Sequence, residues 1–383
     1  MDPTASSETY ASQLSTLRHG HALWQPDVPR VSGGDALSPP VRIGDVGYLR
    51  YGGFHTLFNV LLPSDHASQR WGTPPDFRQL EVPGTDGLTP QQVLDFVTSS
   101  KSSLGPGVLK SSGSYSYIRP DELATSVTRQ QTASVTTSNQ VLQEDTNLLP
   151  LFQQYMIQHY KSWLEWANED NGFGIDLSDF YFVTGCDKSV EWEVTTSSSI
   201  REDQESHGTV DMTGYENSTA VITSSTTWTP SVDRRRGPYR ISPPVPGELP
   251  IEPVYNQCLF IRGFRMMDRS LPEEYGDEDV IIEMIPDDCK SINLLAPILE
   301  YVLRDSSLEV AIAHDQDIFP FSEDAPNPLK VMSNLDELRP GINVVDGVGR
   351  IEIPASLQEA VAGPVQPEAP GNAGSTPPIL TVD

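Results

Sequence analysis

A candidate nucleophile lies at the centre of the stretch FYFVTGCDKSVEWEV (180–194), where Cys186 is closely followed by Lys188. A nucleophilic cysteine needs a lowered pKa and a base that takes its proton, most often histidine. Lys188 could favour the thiolate, whereas the histidines are distant in sequence: His159, His207 and His314. The run 185–188 is also typical of a turn between two strands. We therefore interpret Cys186 as a small buried residue of a structural hairpin, with catalysis as the alternative.

A second candidate site lies at the acidic end of a predicted strand (308–317). One histidine and two carboxylates occur together there: His314, Asp315 and Asp317. Such groups could hold Mn²⁺ or Mg²⁺, and Asp287 and Asp288 could supply further ligands. A strand end that turns into solvent, with an aspartate capping the turn, explains the same residues. We favour this structural interpretation and expect no cofactor, with a divalent metal as the alternative.

A third candidate is a basic cluster in a very acidic chain, formed by Arg234, Arg235, Arg236 and Arg240. Arginines in such a cluster could bind a phosphate, a lipid head group or an acidic partner, or act as an import signal. They could equally pair with carboxylates of the same chain, and we favour this internal role.

The charge balance excludes some classes of partner. The 383 residues include 53 acidic and 25 basic side chains, a formal net charge of −28. A field of this sign repels phosphate backbones, so nucleic acid is not an expected partner, and it disfavours adsorption to anionic membranes. The three cysteines are widely spaced, which argues against a disulfide framework. No signal peptide or spanning segment is recognised, so a cytoplasmic protein is expected.

Helices and strands must position these candidates. Thr89 and Pro90 predict a short helix over 87–100, because threonine is a good N-cap and proline fits the first turn. Apolar residues three or four apart predict a long helix over 146–170 and another over 291–307.

Alternation of apolar and polar residues predicts strands, including two Ser/Thr-rich regions over 108–140 and 195–229. Their polar composition is a poor match to membrane-inserting hairpins and favours solvent-exposed sheet faces. The predicted fold class is α+β, with mostly antiparallel sheet packed by two long helices.

The domain prediction has five parts. They are a disordered arm (1–40), a β-rich main domain (41–237), a Pro-rich link (238–255), a C-terminal α/β piece (256–318) and a mostly disordered acidic tail (319–383).

Three motifs occur together in order: "GDVG…FN…LP" from residue 44, "VTGCDK…W" from 183 and "AIAHDQD" from 311. With these motifs the chain resembles an uncharacterised family of proteins from mushroom-forming fungi over roughly residues 40–318. The chain departs from that family at 314–317, where the family has an unbroken acidic triplet. The order of elements is also similar, in layout alone, to gasdermin-like and perforin-like pore formers.

Three functional hypotheses follow. The first is a non-enzymatic protein that acts by binding a protein partner, in a fungal stress or defence system as the resemblance implies. The second is a membrane-acting protein of the pore-forming kind, although the charge makes a membrane partner the less expected outcome. The third is a metal-dependent hydrolase that uses the residues of the 314–317 segment.

Overall fold

The computed structural model describes residues 3–26, 39–119, 125–210, 218–227, 231–238, 254–269, 293–322, 328–354 and 357. Helices and strands are both present, and the strands pair mostly antiparallel. The prediction of an α+β fold is therefore confirmed.

Ten of the described strands form the first sheet. They are β1 (His21–Ala22), β2 (Asp45–Arg50), β3 (Gly53–Asn59), β4 (Thr98–Leu104), β7 (Val141–Thr146), β8 (Phe180–Ser189), β12 (Gln257–Asp268), β13 (Val310–His314), β14 (Ile342–Val345) and β15 (Val348–Ile351). Its central order is β14-β15-β13-β12-β8-β2-β3, and β7 also pairs with β8. The β13–β15 pair is parallel. Strand β8 is buried along its whole length: its first part (180–183) is apolar on both faces, as expected for a buried strand, whereas its second part carries buried polar and charged side chains.

Five described strands form the second sheet. They are β5 (Gly107–Arg119), β6 (Thr125–Thr137), β9 (Trp192–Val210), β10 (Ser218–Thr227) and β11 (Ser231–Gly237). The order is β10-β9-β6-β5, and β11 pairs with the first part of β9. Only residues 190–191 separate β8 from β9, so one continuous piece of chain joins the two sheets.

The helices are α1 (Pro3–Ser15), α2 (Pro90–Val97), α3 (Leu149–Glu165), α4 (Ala296–Leu303) and α5 (Pro328–Leu338). Helix α2 is capped by Thr89, as predicted, and Gln92 completes a capping box; the helix ends at Val97, before the predicted end at 100, because β4 begins at Thr98. A π-helical turn over Trp166–Asp170 extends α3. Two long helices are not confirmed, since α4 has eight residues. Within the described residues, no helix has both the length and the apolar character needed to cross a membrane.

Helix α3 packs on the first sheet. Phe152 stacks on Phe182 with ring centroids 5.2 Å apart, and Trp163 meets Phe58 edge to face at 5.5 Å. All four rings are almost completely buried. Burying a large apolar side chain contributes about 1.5–3 kcal/mol, so this layer holds the helix firmly on the sheet.

The predicted disordered arm over 1–40 is wrong for residues 3–26. Helix α1 places Tyr10 and Leu14 in a fully buried cluster, and Leu17 packs against it. Tyr10 and Leu14 lie four positions apart and so share one helix face, and Leu17 follows in the turn after the helix. The other positions of the helix are mostly Ser and Thr, which hides this narrow apolar stripe in the sequence. Residues 27–38 lie outside the described residues.

The predicted turn over 185–188 is also wrong. These residues continue β8, and the reversal occurs at 190–191 instead. Glycine is required at 185 because a Cβ there would lie 2.2 Å from a carboxylate oxygen of Asp145. The Gly-Cys-Asp-Lys run therefore belongs to a strand whose neighbours pack closely against it, although its composition is typical of a turn.

Two domain boundaries also need correction. Strand β12 pairs with β8, so the predicted C-terminal piece (256–318) belongs to the same sheet as the main domain. In the predicted tail (319–383), helix α5 and strands β14 and β15 are ordered, with Val331, Leu335 and Ile351 buried. The rest of that tail and most of the Pro-rich link (238–255) lie outside the described residues.

Candidate functional site

Cys186 occupies a structural position. The residue is fully buried on β8, and its thiol lies 3.6 Å from Oε2 of Glu144 on β7. The same Oε2 accepts a hydrogen bond from Lys188 Nζ at 2.6 Å. Burial lowers the pKa of Lys188, but Cys186 and Glu144 more than offset this and raise it above its ordinary value. Lys188 is therefore committed to a carboxylate and is no source of general base chemistry.

The histidines considered as bases for this thiol have other surroundings. His159 packs against Tyr155 on α3, with ring centroids 4.4 Å apart. His314 hydrogen-bonds to Thr184. His207 lies on the distal part of β9, where the structure describes the backbone alone. The geometry thus supports the structural interpretation of Cys186.

A buried ionic network surrounds Asp187, the residue next to Cys186. Arg262 on β12 donates from Nη1 to Asp187 Oδ1 at 2.8 Å and from Nε to Asp145 Oδ1 at 2.6 Å. Asp187 Oδ2 also lies 2.6 Å from His19 Nδ1. Burial raises the pKa of Asp187, but Arg262 and His19 outweigh this and hold it below its ordinary value. This network ties β7, β8 and β12 to the N-terminal segment.

The sequence analysis missed this network because its members are far apart along the chain. His19 lies 168 residues before Asp187, and Asp145 lies 117 residues before Arg262. Nothing in the local sequence around these residues signals their pairing. Only the Asp187–Lys188 pair beside Cys186 drew attention to the strand.

His314 has both ring nitrogens engaged by neighbours. Its Nδ1 accepts from the backbone N–H of Gln316 at 3.2 Å, and its Nε2 lies 2.8 Å from Thr184 Oγ1. An accepting Nδ1 requires the proton on Nε2, which then donates to Thr184. Burial, and next Arg350, lowers the pKa of His314 to about 3, so the ring is neutral.

Asp315 and Asp317 accept hydrogen bonds from different groups. Asp315 receives the Tyr181 hydroxyl and the Gly263 backbone N–H, while Asp317 receives the His314 backbone N–H and the Arg350 guanidinium. Burial raises the pKa of Asp315 to about 6. Together His314 and Asp317 form a capping box at the start of a 3₁₀ helix (Asp315–Phe321).

The 314–317 segment is therefore a helix cap. Across the described residues, no group of three or more His, Cys, Asp or Glu side chains is placed to hold a metal ion. Asp287 and Asp288 lie outside the described residues. The spacing of His314 and Asp317 is that of a capping box, but the sequence signature has Ser or Thr at the first position and Glu or Gln at the fourth, so these two residues did not reveal it.

The arginine cluster is divided between the two faces of an edge strand. Arg234 is 65% exposed and bonds to Glu193 at 2.5 Å. Arg235 lies on the opposite face, with its guanidinium 5.7 Å from the centroid of the Trp24 indole. Arg236 is exposed on the same face as Arg234, and Arg240 lies outside the described residues. The three described arginines therefore do not converge on one ligand.

A cavity of about 330 Å³ opens beside β2 and β3. Leu23, Phe54, Leu62 and Cys258 are buried in its wall, and Trp71 is exposed at its rim. Arg42 is half-buried and lines both this cavity and a neighbouring polar one of about 250 Å³. The sequence analysis did not find this cavity, since its wall is assembled from several separate segments.

Two long hairpins form most of the second sheet. In the first, β5 and β6 pair without interruption from Gly107↔Thr137 to Arg119↔Thr125. In the second, β9 and β10 pair from Arg201↔Thr227 to Val210↔Ser218. The two hairpins lie side by side because β6 also pairs with β9. The Ser/Thr-rich regions of the sequence thus form one continuous antiparallel sheet.

Helix α1 covers the base of this sheet. Tyr10 and Leu14 of the helix share a buried cluster with apolar residues of β5, β6 and β9: Leu109, Ala133, Val135, Trp192 and Val194. Two polar contacts join the same surfaces. Thr16 Oγ1 lies 3.1 Å from Ser111 Oγ, and Gln131 Nε2 donates to Thr9 Oγ1 at 3.2 Å.

The interface under α1 contains buried polar atoms without hydrogen-bond partners. They are the Tyr10 hydroxyl, Gln13 Oε1, Trp24 Nε1 and Thr196 Oγ1. Tyr10 and Gln13 belong to α1, Trp24 packs on Tyr10 at 5.3 Å, and Thr196 lies on β9. Each such group costs about 1–3 kcal/mol relative to its hydrated state, so this interface is weaker than its apolar area suggests.

No protein-family model matches the chain, and no curated protein sequence matches it.

Proposed function

We propose that this protein is non-enzymatic and acts on lipid membranes through the two hairpins of the second sheet. One observation carries the proposal: two hairpins lie side by side with an uninterrupted antiparallel register. The layout resemblance to gasdermin-like and perforin-like pore formers points the same way, and the fungal resemblance suggests a stress or defence role.

The length of the strands supports this proposal. Strands β5 and β6 each have 13 residues, β9 has 19 and β10 has 10. A strand that crosses a bilayer needs about 9–11 residues, whereas strands in globular proteins are most often about 5–6 residues long. Each hairpin is therefore long enough to reach across the hydrocarbon layer, although its Ser/Thr-rich strands lack the regular apolar alternation of membrane-inserting hairpins.

The resting arrangement gives helix α1 a role in this proposal. The apolar base of the sheet is covered by α1, and a sheet cannot present that face to lipid while the helix lies on it. Inserted strands also need partners for every backbone group, because unpaired groups are costly in hydrocarbon. Membrane action would therefore require the release of α1 and the edge-to-edge assembly of several copies.

Leakage of a dye from vesicles tests the proposal directly. We expect the purified full-length chain, before or after limited proteolysis, to release dye from phosphatidylcholine vesicles. Release should be weaker when phosphatidylserine is added, because the net charge is −28. The absence of release with both lipids, in the trimmed and untrimmed protein, would contradict a membrane function.

A disulfide between α1 and β5 sharpens this test. The hydroxyl oxygens of Thr16 and Ser111 are 3.1 Å apart, so Thr16→Cys with Ser111→Cys brings two thiols within bonding reach. In a Cys289→Ser background, the oxidised double variant should lose at least about nine-tenths of the leakage, and reduction should restore it. The two single variants are the matched controls. If the oxidised double variant leaks as much dye as the native chain, leakage does not require the release of α1.

A further inference from the structure

The cavity beside β2 and β3 combines a positive group with an apolar wall. Leu23, Phe54 and Cys258 are almost fully buried there, and Tyr48 and Trp71 add aromatic surface nearer the rim. A volume of about 330 Å³ lies at the lower end of the range of small-molecule sites. Such a space suits one extended hydrocarbon chain better than a bulky two-chain lipid.

Arg42 is the unusual residue of this cavity. Its guanidinium has no hydrogen bond or ion pair to any residue that the structure describes, although the chain contains 53 acidic residues. Two other buried or half-buried arginines are paired, Arg262 with Asp187 and Arg350 with Asp317. A half-buried arginine that faces two cavities is therefore available to an external anion.

The neighbouring carboxylate of Asp45, which also lines the cavity, makes no hydrogen bond to this guanidinium, although burial raises the pKa of Asp45 and the charge of Arg42 acts to lower it. Asp45 accepts from the Arg42 backbone N–H at 2.9 Å, from Asn59 Nδ2 at 2.7 Å and from Thr56 Oγ1 at 3.3 Å. These donors occupy both carboxylate oxygens. Arg42 is therefore left with five side-chain N–H donors in a fork that matches a carboxylate or phosphate.

We propose that this cavity binds a single-chain anionic amphiphile, with the head group on Arg42 and the hydrocarbon chain against Leu23, Phe54 and Cys258. The head group is a carboxylate or a phosphate monoester, and the ligand is either a free amphiphile or one taken from a lipid surface. This site is separate from the hairpins, so it does not depend on membrane insertion.

Calorimetric titration of the full chain tests the site. The probes are dodecanoate and dodecyl phosphate, both below their micelle-forming concentrations, and inorganic phosphate. We expect one-to-one binding of the two amphiphiles and at least about tenfold weaker binding of inorganic phosphate, which lacks the apolar chain. The same titration with dodecanoate-loaded phosphatidylcholine vesicles distinguishes a membrane source from a free one.

Arg42→Gln should weaken binding of both amphiphiles by about tenfold or more, because a charged hydrogen-bonding group is lost. Arg304→Gln removes an exposed arginine paired with Asp336 and serves as the control with unchanged affinity. Thermal melting confirms that both variants are folded. The proposal is overturned if no saturable binding occurs, if Arg42→Gln binds like the native chain, or if inorganic phosphate binds as tightly as dodecyl phosphate.

Discussion

The two sheets meet the N-terminal segment in opposite ways. On the first sheet, Arg262 satisfies Asp187, Asp145 and the backbone oxygen of His19 in one buried network. On the second sheet, α1 lies over buried polar atoms that have no hydrogen-bond partner, including the Tyr10 hydroxyl and Thr196 Oγ1. The first contact is built to persist, whereas the second can separate at a lower cost because water would satisfy those atoms.

The largest expected effect comes from opening the buried network. Arg262→Ala removes the guanidinium partner of buried Asp187 and leaves that carboxylate with His19 alone, and we expect a loss of about 3–5 kcal/mol in the free energy of unfolding. Urea denaturation measures this loss. Arg304→Ala, which removes the exposed pair with Asp336, should cost at most about 1 kcal/mol. Similar losses for the two variants would show that the network is not a special source of stability.

One chemical change made in both regions gives a direct comparison. Tyr181→Phe removes a hydroxyl that donates to buried Asp315 and should cost about 1.5–3 kcal/mol. Tyr10→Phe removes a hydroxyl without a partner and should be neutral or slightly stabilising. Thermal and urea unfolding of the pair test the contrast. A loss for Tyr10→Phe as large as that for Tyr181→Phe would remove the distinction between the regions.

The pH dependence of stability should be governed in part by His314, a buried residue of the first sheet. Burial lowers the pKa of His314 to about 3, against an ordinary value of 6.5. Below pH 6.5, His314 is protonated in the unfolded chain but stays neutral in the folded chain. The free energy of unfolding therefore falls as the pH falls from 6.5 towards 3. Between pH 6.5 and pH 5, His314 alone should cost about 2 kcal/mol.

Replacing His314 isolates this contribution. His314→Gln keeps a donor for Thr184 but does not titrate, so its stability should fall by about 2 kcal/mol less than that of the native chain between pH 7 and pH 5. Asp45 and Asp315, whose pKa values burial raises to about 6, act in the opposite sense below pH 6. They are present in both proteins and cancel in the difference. Parallel pH profiles would contradict this account.

Cys186 gives the smallest expected effect. Cys186→Ser places a hydroxyl at a fully buried site and should cost about 1 kcal/mol. Iodoacetamide should modify the native thiol slowly at neutral pH and quickly in urea, which mass spectrometry can follow. Rapid and selective modification of the folded protein would restore the nucleophile hypothesis.

The sequence predicted those helices that are specified by neighbouring residues, through an N-cap or an apolar stripe. The N-cap at Thr89 and the apolar stripe of the long helix predicted α2 and α3.

Distant contacts explain what the sequence could not reveal. Helix α1 has a narrow apolar stripe, and its docking surface is formed by strands that lie more than 90 residues away. The Gly-Cys-Asp-Lys run has the composition of a turn, but pairing with β7 and β12 holds it as a strand. The cavity at Arg42 and the Arg262 network likewise depend on residues from several elements, so no local pattern in the sequence predicts them.

The hydrogen bond from Arg262 to the backbone oxygen of His19 joins residues 243 positions apart. During synthesis at about 5–20 residues per second, the N-terminal segment waits about 12–50 s before this partner is made. Helix α1 packs on β5, β6 and β9, which are all made before Arg262, so the helix can dock on the second sheet before Arg262 anchors the segment that follows it.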